Sequence, residues 1–581
     1  MADRRNRSSG GGRNSRGASK PNTELVFDSQ DTSSRANWVI VVFVGLAIIF
    51  LFRLLYLHVF VADEYSAQAE EARTISLDIS PKRGTIYDRN GVVLATSVDA
   101  TTIYAHPHEV TDAKSAGTLL ASVLGGESAD YTEKLTNEDS PFVYIARKAD
   151  VEKAQEVKDL EIEGIHFVED TRRVYPNDQI GGQVIGFVNI DGEGITGLEL
   201  YYDDILSGTP GKLVVERGAD GTPIPGGTHR DVEAIDGQDI IISIDIGMQQ
   251  FLEERLAEEV SSIGGKSGNS VVMDGGTGEI YACASLPLFN PSDTSVVEEG
   301  ATDLKSITQA FEPGSIFKAV SMSAILEAGV LTPDDTIFAP AYLQADEYYV
   351  SDAHDRGDET MTLRQILAQS SNVGTALATS QLGFPQFYQK ILEYNLNEAT
   401  GVDYPGEASG YLLEQSDWSL IQAYNVSFGQ GVSVTPLQMT RFYGALVNEG
   451  VECTPHFLIK KLNSDDELEY ETEEVITNKE SIPVLTSMLE SVVIEGTATD
   501  IEIPGYAVAG KTGTAEIANP EGGYLSGLYN ISFVGFLPNS SSQLVCFVGA
   551  TEVPGDRKVT SAFQDIMSYA VERYKIVPNG G

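Results

Sequence analysis

Cysteine is scarce: Cys283, Cys453 and Cys546 are the whole complement in 581 residues. Their spacing matches no metal-ligand pattern, and an odd number leaves at least one thiol unpaired. They read as mostly buried thiols, with a bridge from Cys283 or Cys453 to Cys546 left open. Histidine is thin as well. None of the 7 histidines stands in a recognised frame with a serine, and no Gly-x-Ser-x-Gly elbow occurs, which argues against a Ser-His-Asp hydrolase. His354 lies in Ser351-Asp352-Ala353-His354-Asp355 with no cysteine or second histidine near it, so it reads as a loop residue and no metal site is expected there. Basic residues number 39 against 85 acidic ones, for a formal net charge of -46. Phosphate binding needs clustered Lys and Arg, so nucleic acid is not an expected partner. Asn189-Ile190-Asp191-Gly192-Glu193-Gly194 starts like a calcium loop, but the position needing a bidentate Glu is Leu200.

What is present suggests a multidomain protein. Hydrophobic residues make up 42% of the chain, enough for sizeable cores, and the length fits several domains at roughly 150 residues each. Residues 1–37 are rich in Arg, Ser, Gly and Asn and read as a disordered basic tail. From Trp38 to Ala62 the chain is apolar apart from Arg53 and His58, long enough for a bilayer core that needs ~20 residues. Basic residues before this run and Asp63, Glu64, Glu70 and Glu71 after it place the tail in the cytoplasm and the remainder outside. Ala67-Gln68-Ala69 has the small-x-small look of a signal cleavage site, but the apolar run is too long for a signal core and charges intervene, so a single retained transmembrane helix is expected. Arg53 would snorkel or meet a partner helix in the membrane.

Asn90-Gly91 between short apolar runs signals a hairpin. Gly237-Gln238-Asp239 and Ile240 to Ile244 read as a strand entering a new domain. Asp245 is the expected N-cap of a helix with Phe251, Leu252, Leu256 and Val260 on one face. Two antiparallel strands, Val271–Asp274 and Glu279–Ala282, flank a glycine turn. Strands Ile531–Leu537 and Leu544–Ala550 and a closing helix Ser561–Ile576 repeat the pattern at the C-terminal end. Together these give an α/β domain with a covered antiparallel sheet.

The chemistry resides in Ser315-Ile316-Phe317-Lys318, Ser370-Ser371-Asn372 and Lys511-Thr512-Gly513-Thr514. Pro313-Gly314 and the apolar pattern that follows put Ser315 at a helix N-terminus, with Lys318 one turn along the same face. A serine hydroxyl needs a base to become nucleophilic, and a lysine with a lowered pKa can serve. Thr362-Leu363-Arg364-Gln365 matches a capping box whose helix runs up to Ser370, and a second helix follows from Val373, so the Ser370–Asn372 trio sits at a helix-helix junction. Gly505–Thr512 also satisfies the nucleotide phosphate-loop pattern G-x-x-x-x-G-K-T. That loop requires a glycine-rich turn opening a long helix, whereas Tyr506–Ala509 is strand-like and Thr514–Asn519 is short and meets Pro520.

These motifs, in this order, resemble the active site of penicillin-binding proteins. Ser370 follows Ser315 by 55 residues and Lys511 follows Ser370 by 141. Ser427-Phe428-Gly429-Gln430-Gly431, Val434–Met439 and Ser532–Phe536 resemble the same transpeptidase domain. Arg83–Gly91, Arg173–Pro176 and Gly197–Asp203 resemble the non-catalytic pedestal of class B members. Tyr348–Asp352 leading to Ser371–Gly374 resembles the division type; some elongation-type members carry a metal near His354. The resemblance implies a transmembrane helix at 38–62, an elongated pedestal at 63–235, and a transpeptidase domain at 236–581 built on an antiparallel sheet flanked by helices, with a helical subdomain. It implies a peptidoglycan D,D-transpeptidase, without cofactor, that β-lactams acylate. Catalytic roles fall on Ser315 (nucleophile), Lys318 (base), and Ser370 and Lys511 (proton relay). Asn372, Thr512, Gly513 and Thr514 would contact substrate, and backbone N–H groups of Ser315 and Thr514 would form the oxyanion hole. The implied partners are stem peptides, β-lactams, the membrane, a polytopic glycosyltransferase and other division proteins. A β-lactamase or β-lactam sensor of the same fold, and a catalytically idle division scaffold, are the alternatives.

Overall fold

The computed structural model describes residues 29–59, 61, 74–137, 140, 142–216, 229–464, 468–518 and 524–579. Residues 1–28 of the tail, the acidic residues after the membrane run, the Ala67–Ala69 site and Asn519-Pro520 lie outside the described residues. The chain divides into two units, one of residues 1–77 and 213–231, the other of residues 78–212 and 232–581.

The first unit contains a helix, Ser29–Val59, whose apolar stretch Ala36–Val59 is 24 residues long. At ~1.5 Å per residue that stretch exceeds the ~30 Å hydrocarbon core of a bilayer. The helix starts ahead of Trp38, which corrects the expectation that residues 29–37 belong to a disordered tail. No Gly or Pro stands between Ser29 and Trp38, so a helix nucleated by the apolar run extends backward through them.

The second unit is built on two sheets. In the first, strand Val93–Ala105 pairs antiparallel with Val143–Asp150 on one side and Ile165–Val174 on the other. Helices Ala113–Leu124, Ser128–Leu135 and Val151–Asp159 supply Leu120, Leu135 and Val157 to a separate small core with Ile103 and Ile145. The expected hairpin is there: Ile86–Tyr87 pairs antiparallel with the start of Val93–Ala105. Ile86–Tyr87 also pairs in parallel with Ile240–Ile242, which pairs with Leu458–Lys461. The strand read as the entrance to a new domain therefore belongs to a sheet shared with the pedestal sequence, and residues on both sides of position 236 lie in one compact unit.

Below this junction the pedestal strings converge. Glu199, with no side-chain exposure, takes Arg83 Nε on one oxygen and Arg173 Nε on the other, each at 2.6 Å. Arg83 also reaches Asp203 at 2.6 Å, and Arg173 Nη1 donates to the Gly84 carbonyl at 2.7 Å. Residues far apart in sequence are thus locked by one fully partnered carboxylate.

The second sheet has five antiparallel strands in the order Ile280–Ser285, Ser267–Asp274, Leu544–Pro554, Tyr524–Phe536, Ala509–Ala518. Helices Ile246–Ile263 and Thr560–Tyr574 pack against it, and Asp245 caps the first by accepting from Gly247 and Met248 N–H. Leu252, Leu256 and Val260 are buried along that helix, and Phe251 stacks on Tyr569 instead. Helix Pro436–Val447 also packs on the sheet, and a helical subdomain includes Lys318–Glu327, Leu363–Ala368, Asn372–Leu382 and Ser481–Ile494. All three cysteines are buried and free. Lys511-Thr512 lies inside the edge strand Ala509–Ala518 and opens no helix, so the phosphate-loop pattern has none of the geometry it requires.

Candidate active site

Ser315 lies in a short 3-10 turn, Gly314–Phe317, and Lys318 is the first residue of the α-helix Lys318–Glu327. The expected single α-helix start is thus a tighter turn followed by a helix. The tightening follows from its neighbours: Gly314 N–H donates to Gly429 O at 2.9 Å, and Tyr443 Oη donates to Ile316 O at 3.1 Å. Ser321 Oγ donates to Ser427 O at 2.5 Å, so the Ser427–Gly431 string acts as backing for the Ser315 turn.

The edge strand closes in from the other side. A Cβ on Gly314, where φ is +55°, would lie 2.8 Å from Thr514 O. One on Gly513 would lie 2.3 Å from Ser532 Oγ and 3.0 Å from Ile316. Gly314 needs its glycine because φ is left-handed and a backbone oxygen faces it, and Gly513 because the side chains of Ser532 and Ile316 fill the space a Cβ would take.

Ser370 ends helix Leu363–Ala368, which begins with the predicted Thr362–Gln365 capping box. It occupies the left-handed region at φ 62°, a conformation in which helices commonly terminate, usually on Gly or Asn. Ser371 then caps the next helix by accepting from Gly374 N–H. A group that the motif reading did not identify as functional holds this junction. Asp352 accepts from Ser371 Oγ at 2.8 Å, Val373 N–H at 2.9 Å and Arg356 Nε at 2.5 Å. Asp352 stood out in the sequence only as the end of a string resembling the division type; its clamping role carries no motif, since the bonds to Ser371 and Val373 cross about twenty positions and depend on packing. His354, in the same loop, is exposed.

Lys318 Nζ donates to Ser370 O at 2.5 Å and Asn372 Oδ1 at 2.7 Å, and lies 3.1 Å from Ser370 Oγ. Lys511 Nζ lies 3.1 Å from the same Ser370 Oγ and donates to Thr512 O at 3.0 Å. One hydroxyl therefore bridges two fully buried lysines. Burial pulls Lys318 down from 10.5 to about 7, against the opposing pull of Asp352. Burial, followed by the nearby charge of Lys318, holds Lys511 well below the usual lysine range. Asn372 Nδ2 donates to Ser351 O at 3.1 Å. Thr512 Oγ1 is 2.6 Å from Thr497 Oγ1, a partner absent from the sequence motifs, while Thr514 is exposed on the same strand. Ser315 itself is half-buried beside this array.

A serine turn backed by two desolvated lysines and no histidine defines the class of lysine-assisted serine acyltransferases. The penicillin binding protein transpeptidase domain model matches residues 268–568, and the penicillin-binding protein dimerisation domain model matches residues 78–242. The chain belongs to the penicillin-binding protein transpeptidase family. Among its relatives, penicillin-binding protein PbpB of Mycobacterium tuberculosis is 31% identical over 529 residues, covering 85% of this chain and 77% of that protein. Peptidoglycan D,D-transpeptidase FtsI of Escherichia coli is 30% identical over 492 residues, covering 83% and 81% respectively. The crystal structure of penicillin binding protein 3 from Mycobacterium tuberculosis complexed with aztreonam matches with a TM-score of 0.67 at 25% identity, over 87% of this chain and 98% of that one.

Proposed function

We propose that this chain is a division-type peptidoglycan D,D-transpeptidase working through a Ser315 acyl-enzyme. The carrying observation is the Lys318–Ser370–Lys511 array beside the Ser315 turn. A lysine poised near pH 7 is partly neutral under ordinary conditions. In that form its two N–H groups satisfy Ser370 O and Asn372 Oδ1, leaving the lone pair free for a proton.

Lys318 takes the Ser315 Oγ proton as Oγ bonds to the penultimate D-Ala carbonyl carbon of a stem peptide. The oxyanion forms against backbone N–H groups of Ser315 and Thr514, whose close approach Gly314 permits. The amide C–N bond then breaks, and the departing D-Ala nitrogen collects a proton through Ser370, with Lys511 replenishing the relay. An amine of a second stem attacks the ester carbon and passes its surplus proton through Ser370 back to Lys511, while Oγ leaves with the proton held on Lys318 and the cross-link remains. Thr512 and Thr514 hold the substrate carboxylate, Gly513 sets the strand's approach, and Asn372 keeps an amide N–H for the donor peptide. No step calls for a cofactor. Residues 63–235 serve as the pedestal and 236–581 as the catalytic domain. The helix Ser29–Val59, through its apolar stretch Ala36–Val59, anchors the chain with its N-terminus cytoplasmic and its catalytic part outside, next to a polytopic glycosyltransferase and other division proteins.

Mass spectrometry after mixing the protein with a penicillin tests this. A Ser315 adduct lasting minutes or longer, absent in Ser315→Ala, is expected. Rapid drug turnover would make the chain a β-lactamase, and intact drug without adduct would make it a scaffold.

A further inference from the structure

In the pedestal head, far from Ser315 in sequence, His106, Glu109 and His166 bring one ligand atom each to within 4.8 Å of one another. His106 Nδ1 is 3.2 Å from Glu109 Oε1, and His166 Nε2 is 3.0 Å from Glu109 Oε2. We propose that this trio is a divalent transition-metal site, of which zinc is the test ion.

The spacing suits coordination. Bonds of ~2.0–2.1 Å to nitrogen and oxygen in a tetrahedral shell put neighbouring ligand atoms ~3.3 Å apart, so small shifts seat an ion among these three. The scaffold is already set. Pro107–Glu109 is a 3-10 turn, in which residues three apart eclipse, so His106 and Glu109 share a face. Glu109 N–H donates to His106 O and His106 N–H to Gly164 O, both at 2.9 Å, tying the turn to the segment leading into His166. His166 is the register partner of Tyr104 and stacks on its ring at 5.3 Å. Two neutral imidazoles and one carboxylate favour a borderline dication over calcium or magnesium, which prefer all-oxygen shells. The side chains are 38%, 51% and 39% exposed, which leaves an entry path and an open fourth position to solvent. A bound ion would staple the turn after strand Val93–Ala105 to strand Ile165–Val174.

The test is calorimetric titration of zinc into the chelator-stripped full-length protein in detergent, with X-ray absorption at the zinc edge. One zinc per chain with two imidazole ligands is expected. His106→Ala, His166→Ala and Glu109→Gln should each weaken it at least ~10-fold, while His108→Ala and His354→Ala should not. Glu109 is exposed and Gln keeps its hydrogen-bonding capacity, so that variant stays folded, and unchanged penicillin acylation checks this. Absence of stoichiometric zinc, or affinity indifferent to all three substitutions, overturns the proposal and leaves Glu109 as a hydrogen-bond partner of two histidines.

Discussion

Lys318 and Lys511 are fully buried and the side chains of Arg83 and Arg173 nearly so, yet the two pairs are treated oppositely. The arginines close on one carboxylate, Glu199, and stay charged; burial works against Arg83, but Glu199 and Asp203 outweigh it. Among the described residues no carboxylate contacts either lysine; serine and threonine hydroxyls, an asparagine and backbone carbonyls surround them. The same removal from water therefore produces fixed glue in one place and a titratable base in the other. A partner's charge, more than depth, decides which.

The largest effect is expected at the lysine pair. Lys318→Ala should lower penicillin acylation by roughly 10³-fold or more, within the usual range for losing a positioned base, as read by stopped-flow or gel-based acylation rates. Near-normal acylation in a folded variant would remove Lys318 from that role. Glu199→Ala strands two buried guanidinium groups and should cost about 3–5 kcal/mol in unfolding free energy. Acylation well below the melting temperature should hold, since Glu199 touches no part of the Ser315 site.

A subtler separation comes from pH. Protonated Lys318 cannot accept a proton, so the acylation rate should fall as pH drops through about 7. Because Asp352 pulls this lysine upward, Asp352→Asn should move the falling limb to lower pH; a shift to higher pH would reject the assigned electrostatics. The smallest effect concerns stability. Lys318 binds its proton more weakly folded, at about 7, than unfolded, near 10.5. The unfolded chain thus holds the extra proton between these values, and stability rises with pH across that window. Lys318→Met removes this burden but leaves Ser370 O and Asn372 Oδ1 without their donor, so the net stabilisation of the inactive protein should be only about 1 kcal/mol at pH 6, shrinking toward pH 10.5. A gain that grows with pH would contradict it.

Local signals carried over well from sequence. Asp245 and Thr362 cap the helices their patterns announce, and the Asn90-Gly91 turn joins the strands it separates. The three motif strings, short and chemically distinctive in sequence, also meet in space at Lys318, Ser370 and Lys511. What stayed illegible depends on packing between distant segments. The left-handed Ser370, the Asp352 clamp and the Thr497–Thr512 contact have no local pattern. His106 and Glu109 share a turn, but His166 joins them only through the strand register, 57 residues beyond Glu109. The shared strand at Ile240–Ile242 likewise hides a junction that looks, in sequence, like a boundary.

The close approach of Gly314 to the Thr514 carbonyl bears on how the enzyme behaves when warm. Side chains hop between rotamers, whereas a gap set by main-chain thickness has no such freedom. The distance from the Ser315 turn to the edge strand is therefore a mechanical stop, and heating should erode the protein's folded population before it loosens the geometry of the site.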